Sequence, residues 1–117
     1  MPRSLSKDFS PVQLQGIAEM FASLADRSRL TILNTLRTSP AFVSELCRRT
    51  GLKQANVSKQ LKVLRVAGLV ESRRLGNQIQ YRVRDPMVFD LCEIVCQRLR
   101  RDARRRVANC NDNCRWQ

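Results

Sequence analysis

Apolar residues recur along this chain in two rhythms. Leu14, Ile17, Ala18, Phe21 and Leu24 keep the three-and-four spacing of one helical face. Ser10-Pro11 precedes them, an N-cap followed by a residue whose fixed φ suits a first helical turn. A second helix is predicted after Asp26, a capping residue. Leu30, Leu33 and Leu36 mark its buried side, and Thr38-Ser39-Pro40 ends it. A short helix follows over roughly residues 44–50, with Leu46 and Cys47 inward and Gly51 as its stop. The next helix spans about 53–67, carries Val57, Leu61 and Leu64 as its apolar stripe, and stops at Gly68.

The period then falls to two. Leu69 through Leu75 reads as a strand, Gly76-Asn77 as a turn, and Gln78-Ile79-Gln80-Tyr81-Arg82-Val83 alternates strictly. Asp85-Pro86 opens a last helix with Asp85 as N-cap and Val88, Leu91, Cys92, Val95 and Leu99 as its stripe. Residues 97–106 are rich in arginine, and 108–117 form a polar, cysteine-containing tail expected to fray. No repeat or long linker interrupts the series, so the 117 residues are expected to make one domain. Its fold class is mainly α with a β-hairpin wing (α+β). Two helices joined by Gly51-Leu52 and followed by a hairpin have the punctuation of a winged helix-turn-helix.

Charge adds a partner to this outline. There are 22 Lys and Arg against 10 Asp and Glu, a formal net charge of +12. A basic globular chain generally meets a polyanion. No apolar run approaches the roughly 20 residues needed to cross a bilayer, so a membrane partner is not expected. The opening MPRSLSKDF has no apolar stretch of the kind a secretory leader carries, and the expected location is the cytoplasm. A hydrophobic content of 43% allows only a small core, which a second copy of the chain would complete. The chain contains no histidine, which removes the commonest general base and the commonest zinc ligand. With no phosphate loop and no paired catalytic carboxylates either, the chain is not expected to be an enzyme.

In a helix-turn-helix the second helix lies in the major groove of DNA with its first residues at the base edges. With Val57 and Leu61 inward, Asn56, Lys59 and Gln60 are expected to face outward, beside Gln54. Asn and Gln bond adenine through two hydrogen bonds, and Lys reaches guanine or phosphate. Ser58 and the amides at the helix start suit a phosphate, and Lys62 extends the positive surface. The hairpin adds Arg73, Arg74 and Gln78, placed to reach an adjacent minor groove or its phosphates. For Gln80 and Arg82, plain solvent exposure explains the residue as well as DNA does. A polar, basic helix face alone is only a solvated face. The order of short helix, glycine turn, helix and basic hairpin is what points to double-stranded DNA.

The run Gly51-Leu52-Lys53-Gln54-Ala55-Asn56-Val57-Ser58-Lys59-Gln60-Leu61-Lys62-Val63-Leu64-Arg65-Val66-Ala67-Gly68-Leu69-Val70 resembles the recognition-helix motif of the ArsR/SmtB repressors. Ala22-Ser23-Leu24-Ala25-Asp26-Arg27-Ser28-Arg29-Leu30 resembles that family's leading segment, and the likeness extends over roughly Val12 to Leu99. The resemblance implies a homodimer joined by its first and last helices and bound to operator DNA without a cofactor. It also implies repression released when a metal, metalloid or oxidant acts on the protein. Two departures stand out. Phe42-Val43-Ser44-Glu45-Leu46 lacks thiols where arsenite-sensing members carry a Cys-Val-Cys-like element, and without histidine the usual zinc site of the last helix cannot be assembled.

Five cysteines remain to be placed: Cys47, Cys92, Cys96, Cys110 and Cys114. An odd number in a reducing compartment does not make a disulfide framework. Cys92 and Cys96 stand four apart on one helical face, and Cys110 and Cys114 repeat the spacing. Thiolates so spaced can share a soft ion such as As(III), Cd(II) or Pb(II), which makes these four the candidate sensing thiols. Two other readings stay open: a thiol redox or reactive-sulfur sensor on the same scaffold, and a constitutive DNA binder with structural cysteines. Cys47 is expected to be a small core residue.

Overall fold

The computed structural model describes the backbone of residues 8–113 and the side chains of residues 8–106. The chain divides into two compact units, one ending at Arg84 and the other beginning at Asp85.

The first unit opens with α1 (Pro11–Leu24). Ser10 caps it: its hydroxyl accepts from the Gln13 amide at 3.2 Å, and the Gln13 side chain accepts from the Ser10 amide at 2.9 Å. Of the predicted inner stripe, only Leu24 is buried. Leu14 and Phe21 are more than half exposed, so this stripe is apolar but uncovered. Asp26 caps α2 (Arg27–Leu36) by accepting from the Arg29 amide at 3.1 Å. Leu33 and Leu36 are buried there as expected, joined by Ile32, whereas Leu30 is exposed.

A two-residue strand absent from the sequence reading, β1 (Ala41–Phe42), leads into α3 (Val43–Thr50). Gly51 ends α3 at φ +77°, a left-handed conformation that other residues adopt only with strain. Leu46 is fully buried and Cys47 half-buried. After a three-residue turn comes α4 (Gln54–Val66), with Val57, Leu61 and Leu64 fully buried. The wing is β2 (Val70–Leu75) and β3 (Gln78–Val83), joined at Gly76-Asn77. The sheet order is β1-β3-β2, all antiparallel, with Leu75 opposite Gln78 and Val70 opposite Val83. The core of the unit thus sits among α2, α3, α4 and the base of the sheet, where Leu69, Val70 and Ala41 are also buried. Each buried Leu, Ile or Val among them contributes about 1.5–3 kcal/mol of transfer free energy.

The second unit is α5 (Met87–Asn113), whose start is fixed by Asp85 accepting from the Met87 amide at 3.0 Å. The helix continues past residue 108, where the sequence reading places a tail. Val88 is fully buried, while Ile94, Val95 and Leu99 are each more than half exposed. Arg98 pairs with Asp102 one turn on, and Arg100 with Glu93. Among the described residues no helix is long and apolar enough to cross a membrane.

Candidate nucleic-acid interface

The outward face of α4 follows from its inward one. With Val57, Leu61 and Leu64 in the core, Gln54, Ala55, Ser58, Lys59 and Lys62 are all exposed. Among the described residues no carboxylate pairs with Lys59 or Lys62, so the face keeps its positive charge. Lys53 occupies the N-cap and contributes no side-chain cap, and no acidic residue lies in the first turn. The first amides of α4 therefore retain donor capacity and the positive end of the helix dipole, which suits an anion.

One expectation fails. Gln60 does not face outward; it is 6% exposed. Its position explains why: it lies three residues after Val57 and four before Leu64, on the buried stripe itself. The side chain is accommodated by hydrogen bonds rather than solvent. Arg29 Nη1 donates to Gln60 Oε1 at 2.8 Å, and Gln60 Nε2 donates to Asn56 Oδ1 at 2.9 Å. Asn56 is half-buried and donates on to Ser28 Oγ at 3.4 Å. Arg29 also donates to the carbonyls of Ser23, at 2.7 Å, and Ala22, at 3.2 Å, which ties the end of α1 to the start of α2. Sequence reasoning assigned Arg29 no role. The spacing of Gln60 was the available signal, since a buried amide on a stripe demands a polar partner.

The hairpin divides the remaining candidates by side. Arg73, Gln78, Gln80 and Arg82 share one face, with Arg73 opposite Gln80 and Glu71 opposite Arg82. Arg74 lies on the other face and donates to the Gly76 carbonyl at 3.2 Å. The two arginines thus do not act from one surface. Arg82 forms an ion pair with Glu71, which offsets its charge. Gln54 and Ser58 of α4 and Gln78 of the wing line one groove with Asn77, so these three predicted residues do come together.

The thiols can be followed in part. Cys92 is exposed and Cys96 half-buried, one turn apart on α5. Among the described residues no group of three or more Cys, Asp or Glu is gathered that could hold a metal ion. The side chain of Cys110 and the whole of Cys114 lie outside the described residues.

The fold recurs in known proteins. Residues 26–72 match the model for "Bacterial regulatory protein, arsR family". The chain is similar to the transcriptional repressor SmtB homolog of Synechocystis sp., at 36% identity over 87 residues, covering 74% of this chain and 66% of that protein. It is 42% identical over 77 residues to the HTH-type transcriptional regulator NmtR of Mycobacterium tuberculosis, covering 66% and 64%. It thus spans just under two thirds of the length of these two relatives. An uncharacterized HTH-type regulator of the same bacterium, Rv0081, is 38% identical over 96 residues, covering 81% of this chain and 84% of that protein. The Rv0081 crystal structure superposes with a TM-score of 0.73 at 36% identity, over 85% of this chain and 99% of that one. The antimony-specific transcriptional repressor AntR superposes at 0.75 with 27% identity, over 89% and 96%. The homodimeric winged helix-turn-helix domain Mb0332 of Mycobacterium bovis superposes at 0.67 with 28% identity, over 81% and 91%.

Proposed function

This chain belongs to the arsR family of bacterial regulatory proteins, and on that premise we propose that it is a homodimeric transcriptional repressor. It places α4 in the major groove of operator DNA and is released when a soft metal or metalloid is bound by its cysteine thiolates. The observation that carries the DNA reading is the outward face of α4. Gln54, Ser58, Lys59 and Lys62 are exposed, and the helix start bears neither a side-chain cap nor an acid. Lys59, Lys62 and the first-turn amides hold phosphates, Gln54 and Asn56 meet base edges, and Arg73 and Gln78 extend the contact from the wing. Arg74, on the opposite side of the wing, reaches the backbone from the flank.

Dimerisation is supported by the uncovered apolar residues of α1 and α5, Leu14, Phe21, Ile94 and Leu99. A two-fold dimer presents two copies of α4 to two half-sites about one helical turn of DNA apart.

Cys92 and Cys96 supply two sulfurs of the sensing site. A third comes from the partner subunit's Cys110 or Cys114, because within one chain Cys110 stands about 21 Å beyond Cys96 along α5, and this gives the all-thiolate set that As(III), Cd(II) or Pb(II) favours. The gel shift of the full chain on the DNA upstream of its own gene, titrated with these ions and with oxidants, tests the proposal. Release by a soft ion, abolished when Cys92, Cys96, Cys110 and Cys114 are all changed to Ser, is expected. Release by oxidant or persulfide alone would replace the metal with thiol oxidation, a reading favoured by the exposure of Cys92. Release that survives the loss of all four thiols would remove the cysteines from the switch.

A further inference from the structure

The relay beneath α4 has a direction. A guanidinium carries donors only, so Arg29 can meet Gln60 at the amide oxygen and nowhere else. Gln60 must then turn its nitrogen to Asn56, and Asn56 must receive it on Oδ1. The Asn56 nitrogen is left on the other side, toward Ser28 Oγ. Arg29 itself is held by two further hydrogen bonds to the main chain at Ala22 and Ser23. Each link is thus oriented by the one before it, and the first cannot reverse.

We infer that Arg29 is a positioning residue for base recognition. It fixes which way the Asn56 amide faces, so that Asn56 reads a base while Gln60 serves as the relay. This rests on the proposed docking of α4 in the groove. In the relay, Asn56 uses one of two acceptor positions on Oδ1 and one of two N–H donors on Nδ2. One acceptor and one donor remain. That pair complements the N6–H donor and N7 acceptor of adenine, and it mismatches the two acceptors that guanine presents. A reversed amide would offer the same two functions in swapped order to a base in the same place. Fixing the orientation therefore fixes the preference.

The test is selection of bound duplexes from a pool with a random core, using the full chain and its variants. The wild type should enrich adenine at one position of each half-site, and Asn56→Ala should lose that preference alone. Gln60→Glu keeps an oxygen for Arg29, which neutralises the new carboxylate, but has no donor for Asn56. It should lose roughly 5- to 140-fold of discrimination at that same position, the worth of one bidentate pair. Its circular dichroism spectrum and its affinity for non-specific duplex should be unchanged. Arg29→Lys, whose one nitrogen cannot reach acceptors that Arg29 meets from three separate nitrogens, should do the same; if it does not fold, Gln60→Glu decides. Selection of the wild-type base by Gln60→Glu, at the position that Asn56→Ala alters, would overturn the relay and leave the docking intact. No position altered by Asn56→Ala would overturn base reading by Asn56. Lys59→Ala tests the docking separately, because unchanged affinity for any duplex in that variant would remove α4 from the groove.

Discussion

The unit that ends at Arg84 and the unit that begins at Asp85 use their apolar residues in opposite ways. In the first, Ile32, Leu33, Leu46, Val57, Leu61 and Leu64 are essentially sealed from solvent, drawn from three helices that surround one another. In the second, α5 keeps Val88 covered and leaves Val95 at 56% and Leu99 at 60% exposure. The same side-chain chemistry gives a closed core in one unit and an open stripe in the other. An open stripe gains nothing from the hydrophobic effect until something covers it. The difference separates a fold held within one chain from a face that the proposed dimer would cover.

Four changes break or sharpen this contrast. Leu61→Ala should have the largest effect, because it empties a fully buried site: about 2–5 kcal/mol lost in urea unfolding. A loss below about 1 kcal/mol would mean the core is not closed. The double change Val95→Lys with Leu99→Lys should convert a dimer to a monomer in sedimentation equilibrium and spare the far-ultraviolet spectrum per residue. A dimer that persists would place the association elsewhere. Asp26→Ala removes the cap of α2 and should cost about 1 kcal/mol, read as a lower urea midpoint at constant slope. Glu71→Ala should be the mildest, because the Glu71–Arg82 pair is largely solvent-exposed and such pairs contribute about 0–1 kcal/mol. Its more informative readout is DNA binding: releasing the charge of Arg82 should steepen the salt dependence if the wing lies along phosphates.

Where a local rule and the tertiary structure agree, the sequence was enough. The caps at Ser10 and Asp26, the stop at Gly51, the stripe of Val57, Leu61 and Leu64, and the turn at Gly76-Asn77 each depend on neighbours within one or two turns. Strand β1 was not legible because two residues have no period. Ala41 and Phe42 are strand only through their pairing with Tyr81 and Gln80, some forty positions away. Gln60 was misread for a different reason. Its spacing said inward and its chemistry said outward, and the arbiter was Arg29, thirty-one residues earlier. The stripes of α1 and α5 were legible as apolar, but periodicity reports which residues share a face and not what covers it. That is why Leu14, Phe21 and Leu99 were correctly grouped and yet lie open in a single chain.

The bare start of α4 has one more consequence. Its anion-binding capacity belongs to peptide groups, which every residue type except proline carries alike. Under the proposed docking, side chains in that first turn can be exchanged without loosening the grip on the duplex. What the protein holds and what it reads are then separable properties. In that docking, a relative of this chain can acquire a new target sequence by changing Gln54 or Asn56 while still landing on DNA in the same pose.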